Sequence, residues 1–447
     1  MRVLYQTFGC KANQYDTERM RQELEARGAS TVAGDFPAEV CVVNTCTVTN
    51  AADAEARRFI RRLRRERPEA RVIVAGCSAA LRTNEYTGMS EVAAVVPGHD
   101  PLELARAVVK LQSGLVQLGT QRRLDTLDLE PVGASILTRR EGATRGWLKV
   151  QDGCDRRCSF CATRLARGQS RSRPPEEVIK EASALARPHP ELVITGIHIG
   201  HYGRDLDDPL TISELLARLL DRVPDVRFRM GSIEATEVDE LLLELMVTSG
   251  GRVAPHLHMP LQSGADPVLR RMRRWHSRET YRVRTLEIAS RLSRFGLGAD
   301  VITGFPGEAS SDHDDTVRLV EELPYTYLHV FPYSPKDGTE AAGLPNPVPQ
   351  RIAAERSREL RTLAQTKGQR YRTSRSGERA RVTLEAEGRT ALTGDYLRVA
   401  ARGPDQTDLR SLHDGRLRGS GQDLYIEIEP SAPSDMDLSL RSQLSSV

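Results

Sequence analysis

Short apolar runs, rich in valine and without the alternation of a half-exposed strand, recur through residues 1–125 at Val3 to Tyr5, Val40 to Val43 and Val72 to Ala75. Such runs suit parallel strands buried on both faces. Between them the apolar positions take a helical period. It is clearest at Ala56, Phe59, Ile60 and Leu63, a single stripe in a segment crowded with Arg57, Arg58, Arg61, Arg62, Arg64, Arg65, Arg67 and Arg71, which therefore point outward. The pattern predicts an amino-terminal α/β domain with a parallel sheet. Each apolar run ends in a cysteine: QTFGC at Cys10, VVNTC at Cys46 and IVAGC at Cys77. In open parallel sheets the carboxyl ends of the strands gather on one edge, where ligands bind, so these three cysteines are expected to converge. The competing explanation is three small buried residues. Cys41, inside its strand, reads as core packing.

Residues 140–370 repeat the rhythm in six βα-like units, with strands expected at WLKVQ, ELVITG, VRFRMGSI, PHLHMPLQ, GADVITGFPGE and LHVFPYSP. That is enough for a partial or complete parallel barrel, whose active residues lie at strand ends. Thr195 and Gly196, Ser232 and Glu234, Gln262 and Ser263, and Gly304 and Gly307 occupy such ends, where turn formation alone would also explain them. His256 and His258 alternate along one strand and read as core or cavity lining. A Pro- and Gly-rich break around Gly343 precedes a basic helix expected from Arg351 to about Arg372. Residues 373–430 alternate apolar and polar positions between Gly and Asp turns, which predicts a small β-barrel of the oligonucleotide-binding kind. The Ser-rich residues 431–447 are expected to be disordered.

Composition narrows the classes. A chain of 447 residues with 39% hydrophobic and 28% charged residues fits a multidomain soluble protein, and no apolar run approaches the roughly 20 residues of a membrane span. The opening MRVLYQTFGCK reads as strand and loop without secretory features, so a cytoplasmic location is expected. There the seven cysteines should be reduced, which favours metal binding over disulfides. Net charge is only +3, but arginines cluster in the helix above, in RGQSRSR from Arg167 and in RRMRRWHSRETYRVR from Arg270. Together the three patches suit a phosphate-bearing partner.

The run KVQDGCDRRCSFCATRLARGQSRSR carries the sharpest chemistry. Its C-x3-C-x2-C spacing at Cys154, Cys158 and Cys161 offers three thiolates to a four-iron cluster, with no fourth cysteine in reach. One iron is then open to another ligand. Zinc, which usually takes four protein ligands or three and water, and unrelated buried thiols are the alternatives.

That loop, with ITGIHIGHYG, HMPLQSGAD, DVITGFPGE and FPYSPKDGTEA, resembles the radical S-adenosylmethionine methylthiotransferases; TFGCKANQYDTE and NTCTVTNAADAEARR resemble that family's amino-terminal cluster domain. The CKANQYDTE and GIHIGHYG forms are most similar to the enzymes acting on threonylcarbamoyladenosine in tRNA. The resemblance implies a central partial radical S-adenosylmethionine barrel and a carboxyl-terminal TRAM module, like the oligonucleotide-binding barrels. It also implies two [4Fe-4S] clusters, one on Cys154, Cys158 and Cys161 and an auxiliary one on Cys10, Cys46 and Cys77. The implied reaction is methylthiolation of adenine C2 beside the anticodon, with the tRNA anticodon stem-loop, S-adenosylmethionine, an electron donor and a sulfur donor as partners. Contacts to S-adenosylmethionine are expected from Gly196, Ser232, Glu234, Gln262 and Ser263, and both clusters are expected to face one cavity between the first two domains. Two features depart from the family. Ala162-Thr163-Arg164-Leu165 stands where many relatives carry a proline, and the TRAM segment is less similar than the rest. Competing readings are methylthiolation of isopentenyladenosine in tRNA or of a ribosomal protein aspartate, and a non-catalytic RNA-binding iron–sulfur protein.

Overall fold

A computed structural model describes residues 1–47, 50–112, 136–385, 387–403 and 408–430. The expected tail at 431–447, and the first domain's end beyond Gln112, lie outside the described residues. The amino-terminal strands are β1 (Arg2–Thr7), β2 (Ser30–Val32), β3 (Val40–Thr45), β4 (Arg71–Gly76) and β5 (Val92–Pro97). They form one parallel sheet in the order β2-β1-β3-β4-β5. Alternate residues of β3 serve opposite faces. Val40 and Val42 pack with Met20 and Leu24 of the Lys11–Ala26 helix and with Leu104 and Val108 of the Pro101–Gln112 helix. Cys41 and Val43 pack with Ala56, Ile60 and Leu63 of the Asn50–Glu66 helix. Helices cover both faces, which is why the strands are valine-rich throughout. The arginine helix stops at Glu66, so Arg71 opens β4 and does not extend that helix.

The chain turns from β1 outward to β2 and then back across to β3. The topological switch point therefore lies between β1 and β3, at the strand ends that precede Cys10 and Cys46.

The central domain begins with β6 (Arg145–Lys149), followed by the short antiparallel pair β7 (Gln151–Asp152) and β8 (Arg171–Ser172). Next come β9 (Glu191–Thr195), β10 (Arg227–Met230), β11 (His256–His258), β12 (Gly296–Thr303) and β13 (Tyr327–Pro332). All six expected barrel strands form, as parallel sheets ordered β10-β9-β6 and β11-β12-β13, joined by an isolated bridge between Ser232 and His258. The result is a partial barrel. PHLHMPLQ is strand only at His256–His258, because Pro260 lacks a ladder donor and Gln262 bends the chain at φ +67°.

The Gln350–Ser374 helix leads to five strands: β14 (Arg379–Glu385), β15 (Thr390–Thr393), β16 (Arg398–Arg402), β17 (Leu412–Arg418) and β18 (Tyr425–Ile428). They close into a barrel ordered β14-β15-β16-β18-β17. This barrel is docked rather than tethered. Arg227 donates to Arg381 O at 2.7 Å, Arg229 donates to Gly394 O at 2.8 Å, and the Tyr396 ring stacks on His256 at 4.3 Å. Among the described residues no helix is long and apolar enough to cross a membrane.

Candidate iron–sulfur and substrate site

Cys10 sits at the start of the Lys11–Ala26 helix, Cys46 just past β3, and Cys77 opens the short helix after β4. Two glycines permit this gathering. Gly9 has φ +102°, and a Cβ there would lie 2.4 Å from Cys46 Sγ; Gly76, at φ +97°, would clash with Asn44 Oδ1 at 2.2 Å. Asn13 ties the strand ends together, its amide nitrogen donating to Phe8 O at 2.9 Å and Thr45 O at 2.8 Å.

Arg167, from the RGQSRSR segment of the central domain, crosses to this trio. Its Nε donates to Cys77 Sγ at 3.2 Å and its Nη2 to Asn13 Oδ1 at 2.5 Å. The guanidinium is fully buried and is held by Asp152 at 3.0 Å and Asp16 at 2.8 Å. Lys149 donates to both acids at 2.7 Å, and His99 Nε2 lies 2.8 Å from Asp152. Burial alone would raise Asp16, but Lys149, His99 and Arg167 outweigh it and bring it down to about 2. Asp152 is likewise held well below the carboxylate range. A charged network thus fixes the second domain against the first at the cysteines.

The other trio lies on the loop between β7 and β8, whose short ladder pins both of its ends. Gly153, at φ +68°, lets the loop close against Gln169, whose carbonyl oxygen would lie 1.7 Å from a Cβ at this position. Cys154 N donates to Gly168 O at 3.1 Å and Cys161 N to Cys158 O at 3.2 Å. Burial pushes the Cys154 thiol up to about 12 and Cys77 up to about 11, and raises Cys158 as well. Such thiols are protonated at neutral pH and become ligands by yielding their protons to a metal.

Apart from Glu234, the side chains around this loop were not foreseen from sequence. Cys154 Sγ is 3.7 Å from His198 Nδ1, and His198 Nε2 lies 2.9 Å from Glu237. His201 stacks on His198 at 3.9 Å and also faces Glu237. Arg274 reaches Cys158 Sγ at 3.8 Å with Nη1 and Glu234 at 2.6 Å with Nη2. The His-x-x-His spacing inside GIHIGHYG was a usable signal for the first group, whereas Arg167 and Arg274 belong to the clusters expected to meet phosphate and instead turn inward, burying their guanidiniums against carboxylates and a cysteine sulfur.

The residues expected at S-adenosylmethionine are distributed unevenly. Gly196 follows β9 where a Cβ would meet Gln151 O at 2.9 Å, and Gln151 Oε1 accepts from the amides of Ile197 and His198 at 3.0 and 2.8 Å. Ser232 is exposed at the end of β10. Glu234 is buried against Arg274, and burial raises its carboxyl. Gln262 lines a cavity of about 140 Å³ with Phe160, Asp300, Tyr333 and Lys336. Ser263 turns inward, its hydroxyl 3.4 Å from Thr316 Oγ1 and accepting from Ala265 N at 3.2 Å. His256 and His258 are buried inside the half-barrel, His258 lying 3.2 Å from Asp300.

Phe160, which lies between Cys158 and Cys161 in sequence, and Lys336, which bonds Asn50 at 3.1 Å, both line this cavity, and none of the six cysteines is among its lining residues.

Comparison with known proteins agrees with this architecture. Residues 2–98 match the model of uncharacterized protein family UPF0004, and residues 148–320 match that of the radical SAM superfamily. The threonylcarbamoyladenosine tRNA methylthiotransferase MtaB of Rickettsia prowazekii is 36% identical, over 79% of this chain and 81% of that protein. MtaB of Bacillus subtilis is 34% identical over 90% and 91%. The tRNA-2-methylthio-N(6)-dimethylallyladenosine synthase of Acidothermus cellulolyticus is 30% identical over 89% and 80%. Among solved structures, the radical S-adenosylmethionine methyltransferase TsrM of Kitasatospora setae aligns with a TM-score of 0.57 at 15% identity, over 81% of this chain and 84% of that one, which speaks to fold alone. The chain belongs to the MtaB-type radical S-adenosylmethionine methylthiotransferases.

Proposed function

We propose that this chain methylthiolates C2 of N6-threonylcarbamoyladenosine beside the anticodon of tRNA, in the cytoplasm. The observation that carries the reading is the convergence of two incomplete cysteine trios on one domain interface, with Arg167 bridging from one domain to Cys77 of the other. Adenine C2 bears an unactivated hydrogen, which neither a side-chain base nor a nucleophile can exchange for sulfur, so the reaction calls for radical chemistry.

The donor sets fit two four-iron clusters. Each trio supplies three thiols, and each has a buried guanidinium donating to one sulfur: Arg167 to Cys77 and Arg274 to Cys158. Those cations offset part of the charge that three thiolates bring to each site, where Cys10 is exposed, the loop cysteines are half-buried, and Cys46 and Cys77 are buried. Bound together, a reduced cluster on Cys154, Cys158 and Cys161 and S-adenosylmethionine would supply one-electron chemistry, and a second cluster on Cys10, Cys46 and Cys77 would hold sulfur. The chain's own residues do the rest. His198 and Arg274 orient the loop cysteines, and the half-barrel excludes water. Gly196, Ser232, Glu234, Gln262 and Ser263 remain the strand-end groups proposed to meet S-adenosylmethionine.

The tRNA is proposed to approach over the arginine face of the first domain. Arg58, Arg61 and Arg65 there line an open cavity of about 840 Å³ with Phe8 and Phe59. Phosphates on that face would set position while the extruded adenine enters the interface. An electron donor and a sulfur donor complete the partners. Nucleoside mass spectrometry of tRNA from cells lacking the gene tests the reading: the methylthio form of threonylcarbamoyladenosine should vanish and its precursor accumulate, and unchanged nucleosides would refute it.

A further inference from the structure

Just past the end of β13 the chain carries a lysine into the molecule. Lys336, in the FPYSPKDGTEA run, is 5% exposed and is the one cation among the residues lining the cavity of about 140 Å³. Asn50 of the first domain sets its position, donating from the amide nitrogen to Pro335 O at 2.7 Å and accepting from Lys336 Nζ at 3.1 Å. That contact takes one of three ammonium donors, and among the described residues no carboxylate lies within ion-pair distance of the other two. A buried ammonium without a counter-ion is stabilised when an anion arrives.

The rest of the wall narrows what that anion is. Phe160, Ile302 and Phe331 make it largely apolar. Tyr333 has its hydroxyl buried with no hydrogen-bond partner among the described residues. Asp300, the acid of the lining, is held by His258 at 3.2 Å and His329 at 3.3 Å and forms no ion pair with Lys336. A cation, a free hydroxyl and a separate carboxylate suit a group that bears both a carboxylate and hydrogen-bond donors. A phosphate, an acceptor at every oxygen, would leave Asp300 facing like charge. Size points the same way, because the cavity is well below the ~300–1,000 Å³ that holds a whole small molecule and so suits one appended group.

The threonylcarbamoyl group has this composition, with a carboxylate, a hydroxyl and urea N–H groups. The purine carbon that carries it, C6, and the reacting C2 flank N1 of one ring, so its seat belongs beside the cysteines rather than on them. Phe160 comes from the loop that carries Cys158 and Cys161, yet no cysteine lines the cavity. Gln262, one of the groups proposed to meet S-adenosylmethionine, is on the same wall. We propose that Lys336 is the substrate-binding residue that takes the threonyl carboxylate in this cavity, an inference that rests on the methylthiotransferase reading above.

The test compares two anticodon stem-loop RNAs, one carrying threonylcarbamoyladenosine and one its methyl ester, which share every phosphate and differ by one charge. Methylthiolation kinetics are measured for the reconstituted full chain, K336M, K336Q and K336R, matched for iron content. K336Q removes the charge but keeps a donor for Asn50, so it decides the matter where K336M folds poorly. The unaltered enzyme should prefer the acid over the ester by about tenfold in kcat/KM, the scale of one charge-assisted hydrogen bond. That preference should fall to near unity in K336M and K336Q, expressed in KM, and return in part in K336R. A preference that survives in K336Q overturns the assignment. So does a loss shared equally by acid and ester, which would give Lys336 a role in domain docking or at an RNA phosphate. An unaltered enzyme that modifies acid and ester alike overturns the assignment and leaves the parent reading standing, whereas one that leaves the acid-bearing stem-loop unmodified overturns both.

Discussion

Cys154, Cys158 and Cys161 share one loop closed by the β7–β8 ladder, whereas Cys10, Cys46 and Cys77 come from the ends of three separate strands. The loop trio takes its shape from local backbone, including the Gly153 turn and the Cys154 to Gly168 hydrogen bond. The strand-end trio takes its shape from the whole first sheet and from Arg167, which belongs to the other domain. One site is therefore a cassette and the other a product of domain docking. Perturbations far from the cysteines should disturb the second far more than the first.

The largest effect separates the trios outright. Cys154→Ala should abolish cleavage of S-adenosylmethionine while the strand-end cluster survives, leaving about four of roughly eight irons per chain after anaerobic reconstitution. Cys46→Ala should also halve the iron yet preserve that cleavage. Iron analysis with deoxyadenosine release checks both, and about four irons in the unaltered chain would break the comparison at its root.

Arg167 tests the docking side. Arg167→Met leaves Asp16 and Asp152 with Lys149 and His99 as their ion-pair partners among the described residues, and breaking such a buried network costs about 3–5 kcal/mol. Denaturant unfolding should show that loss, and iron should fall at the strand-end trio before the loop trio. The pH dependence has a fixed sign. Asp16 is depressed from 3.8 to about 2, so its contribution is complete above about pH 4 and disappears as pH falls through about 2. Without Arg167 the depression shrinks, and acid unfolding should begin at higher pH.

The same contrast explains what could be read from sequence. The loop trio was legible because ligand spacing is written in consecutive residues, and the six barrel strands were legible because each is a valine- or leucine-rich run. The strand-end trio needed one topological rule in addition, that parallel strands bring their carboxyl ends together. Two strands of the first sheet escaped. β2 is three residues on an exposed edge, and β5 (VAAVVP) dilutes its apolar signal with alanine. The inward course of Arg167 and Arg274 escaped for a different reason: in an arginine-rich chain a buried cation looks like its solvated neighbours until its partners are known. Arg227 and Arg229, in VRFRMGS, hold the carboxyl-terminal barrel through backbone carbonyls that carry no residue signature at all.

His198 is the loop trio's counterpart to Arg167. Replacing it with Gln removes a ring 3.7 Å from Cys154 Sγ and leaves Glu237 to His201 and Arg156. Partners of metal ligands typically contribute 10–100-fold in affinity or activity. The loop cluster's electron paramagnetic resonance signal and deoxyadenosine release should shift together in that range, with unfolding free energy nearly unchanged. A global stability loss like that of Arg167→Met would show that the loop is not self-contained.

The smallest effect concerns the outer face beside the strand-end trio. Arg58, Arg61 and Arg65 are exposed, and among the described residues none has an ion-pair partner, while Phe8 of the same cavity stands two residues before Cys10. If these arginines meet tRNA phosphates, changing all three to Gln should leave iron content and uncoupled cleavage of S-adenosylmethionine intact. The log–log dependence of stem-loop affinity on salt should flatten by about 0.7–0.9 per arginine lost. Because the loss is electrostatic, the variant and the unaltered chain should converge at high salt, where screening removes the arginines' advantage. A deficit that persists at high salt would instead place Phe8 and Phe59 at the contact, moving the RNA from the helix face toward the strand ends themselves.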